Sequence, residues 1–151
     1  MSDVQHLIAI TADQLLNRAR EMRDQGQRLV HIGATPCKEL IELNYGFDKE
    51  GVYTNLRVTM PSAEASVPSI STIYWCAFLY ENEIKELFKV AVDGIAVDFK
   101  GSFYKTTIPH PFYGTGASIV KPAPASPATP TATAPATAPA LAPSETNPAA
   151  H

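Results

Sequence analysis

The sequence is poor in the residues that hold metals and redox groups. It has 2 cysteines, and Cys37 and Cys76 lie far apart, so no Cys-x-x-Cys occurs. The chain by itself therefore cannot hold an iron–sulfur cluster of the usual four-thiolate kind, and the thiolate spacings of a nickel–iron centre are missing too. His6, His31, His110 and His151 stand at no metal spacing from one another, from a cysteine or from a carboxylate. Gly114-Thr115-Gly116 is too short for a phosphate loop and precedes no helix. There is no run of Lys or Arg, and a formal net charge of −3 argues against a nucleic-acid binder. No apolar run approaches the roughly 20 residues of a membrane span. Met1 to Ile10 carries Asp3 and no basic stretch, which is not the pattern of a secretory signal. A cytosolic chain with two distant cysteines is expected to keep them as buried free thiols.

What the sequence does contain is a patterned first part and an unpatterned tail. Gln5 to Ile10 fits either a short strand or a lead-in. Thr11 with Gln14 is a capping-box pattern, and Leu15, Leu16, Ala19 and Met22 give a narrow apolar stripe, so a helix is expected from Thr11 to about Gln25. Gly26 fits the left-handed position that ends it. Arg28 to Gly33 reads as a strand closed by Pro36. Ile41, Leu43, Tyr45 and Phe47 then alternate with Glu42, Asn44 and Gly46, and Val52, Leu56, Val58 and Met60 alternate with Tyr53, Asn55, Arg57 and Thr59. Two half-buried strands joined by turn residues 48–51 make a β-hairpin. Ile95, Val97 and Phe99 suggest a last short strand, and Phe103 to Gly116 an aromatic, proline-rich loop that must lie on something. The fold class expected is α+β: a small antiparallel or mixed sheet with a β-hairpin, packed by an N-terminal helix and a central helix. From Lys121 onward Ala, Pro, Thr and Ser dominate, without aromatics, so residues 117–151 are expected to be disordered beside a domain of residues 1–116.

The central stretch is Val67 to Gly94. Pro68 keeps Val67 extended, and Ser71 and Thr72 offer side-chain oxygens to cap a helix. Ile73, Ala77, Tyr80, Ile84, Leu87 and Phe88 fall on one helical face, while Trp75, Phe78 and Leu79 cluster nearly opposite. A helix apolar on two sides is either central to its own domain or shared with another protein. Glu81, Glu83 and Glu86 are the tempting catalytic group. Glu81 and Glu83 are about 200° apart around the axis, however, so they do not face each other. Pairing of Glu81 with Lys85 and of Glu86 with Lys89 along a solvated helix edge is the plainer expectation.

Val67-Pro68-Ser69-Ile70, Thr72-Ile73-Tyr74, Ala77, Glu81-Asn82-Glu83-Ile84 and Leu87-Phe88 together resemble the signature of the 30 kDa subunit family of respiratory NADH dehydrogenase (complex I). That family includes the short D subunit of Ech-type energy-converting nickel–iron hydrogenases and CO-linked hydrogenase relatives. The chain departs from the family pattern at Leu79 for an aromatic, Asn82 for Arg, Glu86 for Asp and Lys89 for Gly. Gly94 to Gly116 replaces the longer tail of respiratory members and looks like the short hydrogenase type.

The resemblance implies an accessory subunit of a membrane-bound oxidoreductase complex, without a cofactor of its own. It would sit on the cytoplasmic side and reach the membrane only through the complex. Implied partners are the large nickel–iron or complex I-like subunit and the small iron–sulfur subunit, and no nucleic acid. Residues implied or expected at the partner interface are Trp75, Phe78, Leu79, Glu81, Glu83, Phe103, Tyr104, Phe112 and Tyr113. The alternative is a small independent enzyme or ligand-binding domain using Glu81, Glu83 or Glu86, which the absence of metal, phosphate and nucleophile motifs weakens. For the tail, deleting residues 121–151 is expected to leave the melting temperature of the domain nearly unchanged. A drop of more than a few degrees in a thermal melt would show that the segment is ordered against the domain.

Overall fold

The structure is a computed structural model that describes residues 5–113. The described residues all belong to one compact unit. The expectations for residues 117–151 fall outside the described residues.

The undecided first segment is a strand, β1 (Gln5–Ile10), and Thr11 forms the expected capping box with Gln14. A single 3-10 turn leads into α1 (Leu15–Asp24), which buries Leu15, Ala19 and Met22. Gly26 takes the left-handed φ of +75° that ends it. The chain then runs up and down through β2 (Arg28–Cys37), β3 (Leu40–Lys49) and β4 (Val52–Pro61). Strand β2 is longer than expected, because Pro36 does not close it: Pro36 stands opposite Ile41 within the ladder. At a sheet edge a proline lacks only an N–H that no neighbouring strand needs. The β3–β4 hairpin has the expected register, with Lys49 opposite Val52, and Glu50 and Gly51 both at positive φ. That is the two-residue turn whose twist suits a hairpin.

The four strands form one sheet in the order β1-β4-β3-β2. β1 runs parallel to β4 and the other pairs are antiparallel, so the sheet is mixed. Alternation puts Ile41, Leu43, Tyr45, Phe47, Leu56 and Val58 on the helix-covered face, all buried. Thr54, the polar residue in that row, is buried with them.

After a 3-10 turn at Ser62–Glu64 comes β5 (Ser66–Pro68), which pairs in parallel with β6 (Ala91–Asp93) as a separate small ribbon. Among the described residues the last strand is therefore Ala91–Asp93, and the expected strand at Ile95, Val97 and Phe99 does not form. Between β5 and β6 lies the central helix α2 (Ala77–Phe88). It starts later than Ser71 or Thr72, with no side-chain cap, because residues 71–76 are spent on turns. Tyr74 plugs this turn into the core: its hydroxyl donates to the Gln27 carbonyl at 2.9 Å and its ring packs on Phe47. The Tyr80 hydroxyl donates to the Val30 carbonyl at 3.1 Å, tying α2 to β2. Ala77 and Ile84 are buried; Tyr80 and Phe88 are half-buried against the core.

Truncating Ile84 to alanine removes a buried branched side chain from the inner face of α2. Denaturant or thermal melts of the free chain should show a loss of about 2–5 kcal/mol.

Candidate functional site

Residues 95–113 form neither helix nor strand. Their shape comes from the polar side chains of α2, which catch the backbone of this loop one turn after another.

Glu81 is 2% exposed, not on a solvated edge, and it makes no pair with Lys85. Its carboxylate accepts the Ser69 hydroxyl at 2.6 Å and the Ile70 amide at 2.7 Å. Ser69 Oγ and Ser71 Oγ are 2.6 Å apart, and Ser71 Oγ accepts the Ala96 amide at 2.9 Å. Proton direction along this chain is fixed by its carboxylate end. The Glu81 carboxylate can only accept, so Ser69 donates its hydroxyl proton to it, and Ser71 is then the donor to Ser69. Burial raises the pKa of Glu81 above its ordinary value, while the bonds from Ser69 and Ile70 pull the other way. Tyr45, also buried, is pushed up by desolvation and then by the nearby Glu81 charge.

Asn82 is fully buried one residue on. Its Nδ2 donates to the Phe78 and Val97 carbonyls at 2.7 and 2.8 Å, and its Oδ1 accepts the Phe99 amide at 2.9 Å. Glu86, buried as well, accepts the Phe103 and Tyr104 amides, each at 2.8 Å, and makes no pair with Lys89. Glu83 accepts the Tyr104 hydroxyl at 3.0 Å, which raises the pKa of that phenol. Lys85 pairs with Asp98 at 2.6 Å and holds that carboxyl below the usual range. The His110 ring nitrogen Nδ1 lies 2.9 Å from the Glu86 carbonyl, and because a carbonyl oxygen only accepts, Nδ1 carries a hydrogen and donates it.

The loop held this way continues the Trp75–Phe78 pair at the head of α2 into a ladder of aromatic rings. Trp75 and Phe78 have centroids 5.4 Å apart, Phe78 and Phe99 6.3 Å, Phe99 and Phe103 5.1 Å, and Phe103 and Tyr104 4.7 Å. Trp75 is 64% exposed, Leu79 42% and Tyr104 41%, while Phe78 and Phe103 are half-buried. Trp75 precedes α2, yet it meets Phe78 as it would have on the helix. Phe112 and Tyr113 form a second patch at the far end of α2: Phe112 packs on Phe88 at 5.3 Å, and the Lys89 ammonium lies 4.5 Å from the Tyr113 ring centre. The expected interface residues thus divide into a ladder, a smaller distal patch, and Glu81 beneath the surface.

Three residues central to this arrangement escape sequence reasoning. Ser69 and Asn82 sit in the motif but their donors and acceptors find partners far along the chain. Phe99 reads as strand when taken alone. Both cysteines are exposed, which corrects the expectation of buried thiols. Their neighbours in sequence explain it, since Cys37 ends an edge strand and Cys76 lies beside exposed Trp75.

A cleft of about 440 Å³ lies among Ser66, Lys85, Lys89 and His110, and Glu81, Glu83 and Glu86 do not line it. Among the described residues no three His, Cys, Asp or Glu side chains gather in a way that could hold a metal ion. No described helix is long and apolar enough to cross a membrane.

The raised pKa of Glu81 has a definite sign in stability. The folded state holds this proton more tightly than the unfolded chain. Its contribution is therefore complete below the ordinary carboxylate value of about 4.3 and is lost as pH rises through the higher folded value. Glu81→Gln removes that slope and sets an amide donor against Ile70 or Ser69, at a cost of about 1–3 kcal/mol. Melts of both proteins from acid to neutral pH should show the gap between them narrowing as pH rises. A gap that widens would mean that the carboxylate is stabilised in its charged form.

Comparison with known proteins follows the same segments. No curated protein matches the chain. A chain in the structure of the membrane-bound sulfane sulfur reductase (MBS), an archaeal respiratory membrane complex, superposes with a TM-score of 0.63. The identity is 20%, over 74% of this chain and 69% of that one. Nqo5, in its trypsin-resistant fragment, superposes with a TM-score of 0.54 at 17% identity, over 62% of this chain and 82% of that one. At such identities the likeness is one of fold. The family model of the respiratory-chain NADH dehydrogenase 30 Kd subunit matches residues 8–112, which takes in both helices and all but the first residues of the sheet. The chain belongs to that 30 kDa subunit family.

Proposed function

We propose that the chain is an accessory subunit, without a redox cofactor of its own, in a membrane-bound respiratory oxidoreductase complex. The observation that carries this is the aromatic ladder from Trp75 to Tyr104, which starts at the head of α2 and continues through Phe99, Phe103 and Tyr104 on a loop whose backbone is clamped to α2 by Asn82 and Glu86. Buried polar groups are spent on shaping a loop, and the loop presents rings to solvent. Such rings cover large area at small entropic cost, which suits a docking surface. Family membership supplies the setting.

The partners fitting this reading are the large subunit, nickel–iron-bearing or complex I-like, and the small iron–sulfur subunit, on the cytoplasmic face of the membrane. The short segment after α2 favours an Ech-type or CO-linked hydrogenase-like complex. Similarity to a chain of a sulfane sulfur reductase adds a third kind of complex to be distinguished. Trp75, Phe78, Leu79, Phe103 and Tyr104 make the main contact, with Glu83 holding Tyr104 and with Phe112 and Tyr113 as a second contact. Glu81 acts from beneath by fixing the turn that carries Trp75.

Affinity purification of the complex from membranes of the native host, through a tag on this chain, tests the proposal. Trp75→Ala and Phe78→Ala should each weaken assembly by about 2 kcal/mol, as truncated aromatic anchors do. Trp75→Ala should leave the melt of the free chain nearly unchanged, whereas Ile84→Ala should lower it. Assembly that simply follows free-chain stability across all three variants would make the ladder ordinary surface.

A further inference from the structure

The two edges of the four-stranded sheet are treated differently. The outer edge at β2 is blunted in several ways. A bulge falls between Leu29 and His31, Pro36 lies within the strand, and the Tyr80 hydroxyl takes up the Val30 carbonyl. These are the devices that keep an edge from pairing with another chain.

The β1 edge has none of them. Its sequence, QHLIAI, carries no proline and no Lys, Arg, Asp or Glu. Its register with β4 runs unbroken from Gln5 opposite Tyr53 to Ile10 opposite Val58. Among the described residues no strand lies beyond β1. Gln5, His6, Leu7 and Ala9 are exposed, Leu7 at 59%, on both faces of the sheet. In a strand paired on one side, about half of the peptide groups point away from the partner strand. An extended segment can satisfy such a row of alternating donors and acceptors along its whole length.

We infer that the outer edge of β1 is a second docking site, which takes an extended, proline-free strand from a partner subunit into the sheet. The inserted strand places apolar residues on the α1 side, next to half-buried Ile8. Residues 121–151 of this chain do not suit the role. Proline recurs there at 122, 124, 127, 130, 135, 139, 143 and 148, and each one removes a backbone donor. The inference rests on the accessory-subunit reading but uses a surface that the aromatic ladder does not include.

Period-two proline substitution tests it in the full-length chain. His6 and Leu7 are both exposed and adjacent, so of their two amides one points to β4 and the other outward. Of His6→Pro and Leu7→Pro, one should therefore melt early. The other should melt like the unaltered chain yet recover about tenfold less of the membrane complex. Exchange of the outward-pointing amides of residues 5–10, those not bonded to β4, in the unaltered chain, free and in the purified complex, is the second measurement. It should slow markedly on assembly.

An unaltered chain that recovers no partner overturns the accessory-subunit reading and this inference together. Full recovery with the stable proline variant overturns this inference alone. Should both variants melt early, exchange that is the same in the free and assembled chain overturns it. Exchange that is already slow in the free chain, or a concentration-dependent dimer lost in the stable proline variant, also overturns it, because the edge is then covered by this chain itself.

Discussion

The Glu81 carboxylate sits where a charge is least welcome, 2% exposed beside buried Tyr45. It is tolerated because two donors are aimed at it, the Ser69 hydroxyl and the Ile70 amide. Those donors lie in the turn before α2, and the serine chain continues to the Ala96 amide in the loop after β6. One side chain on the helix thus fixes the segment that enters it and the segment that returns past it. Both segments are irregular backbone, and these bonds add to the turn's own, the Ile73 and Tyr74 amides donating to the Ile70 carbonyl, and to the hold of Asn82 on the returning loop. With the carboxylate in place, the turn holds Tyr74 against Phe47 and leaves Trp75 facing out.

The same logic repeats down α2 with different chemistry at each turn. Asn82 supplies two donors and an acceptor from one short amide, and it needs all three: two carbonyls and one N–H face it. An arginine at this position would have no acceptor for the Phe99 amide. Glu86 collects two successive amides, Phe103 and Tyr104, which a carboxylate with two oxygens does well. Asn82 and Glu86 thus each hold a different stretch of the loop that follows. Sheet core and helix packing form the platform, the polar clamps set the loop, and the loop carries the rings.

How much of this is legible in the sequence depends on the range of the interactions. The capping box of Thr11, the alternation in β3 and β4 and the Glu50-Gly51 turn are local, and period and turn chemistry reveal them. Strand β2 is misread at Pro36 because edge position is a property of the sheet, invisible to a propensity. Ile95, Val97 and Phe99 alternate like a strand, but the backbone around them is claimed by Ser71 and Asn82 before any strand can pair with it. Glu81 and Glu86 read as a wet edge for the same reason. Helical spacing offers lysines four and three residues away, and only the fold shows that backbone amides reach the carboxylates first. The aromatic cluster Trp75–Phe78 is legible because it is nearly local; its extension through Phe99 is not.

Lys89 shows how far a departure can be accommodated. It ends α2 in the left-handed conformation, at φ +60°, where glycine is most at ease. Left-handed backbone costs a residue with a Cβ about 1 kcal/mol. Part of that is offset by the ammonium lying over the Tyr113 ring, and the helix end is also served by the Phe112 amide, which donates to the Leu87 carbonyl at 3.0 Å. A glycine here would relax the backbone but release Tyr113 from the helix. The lysine keeps the last described residue of the loop on the end of α2, so the distal aromatic patch is held by a strained cap, just as the ladder is held by buried polar clamps.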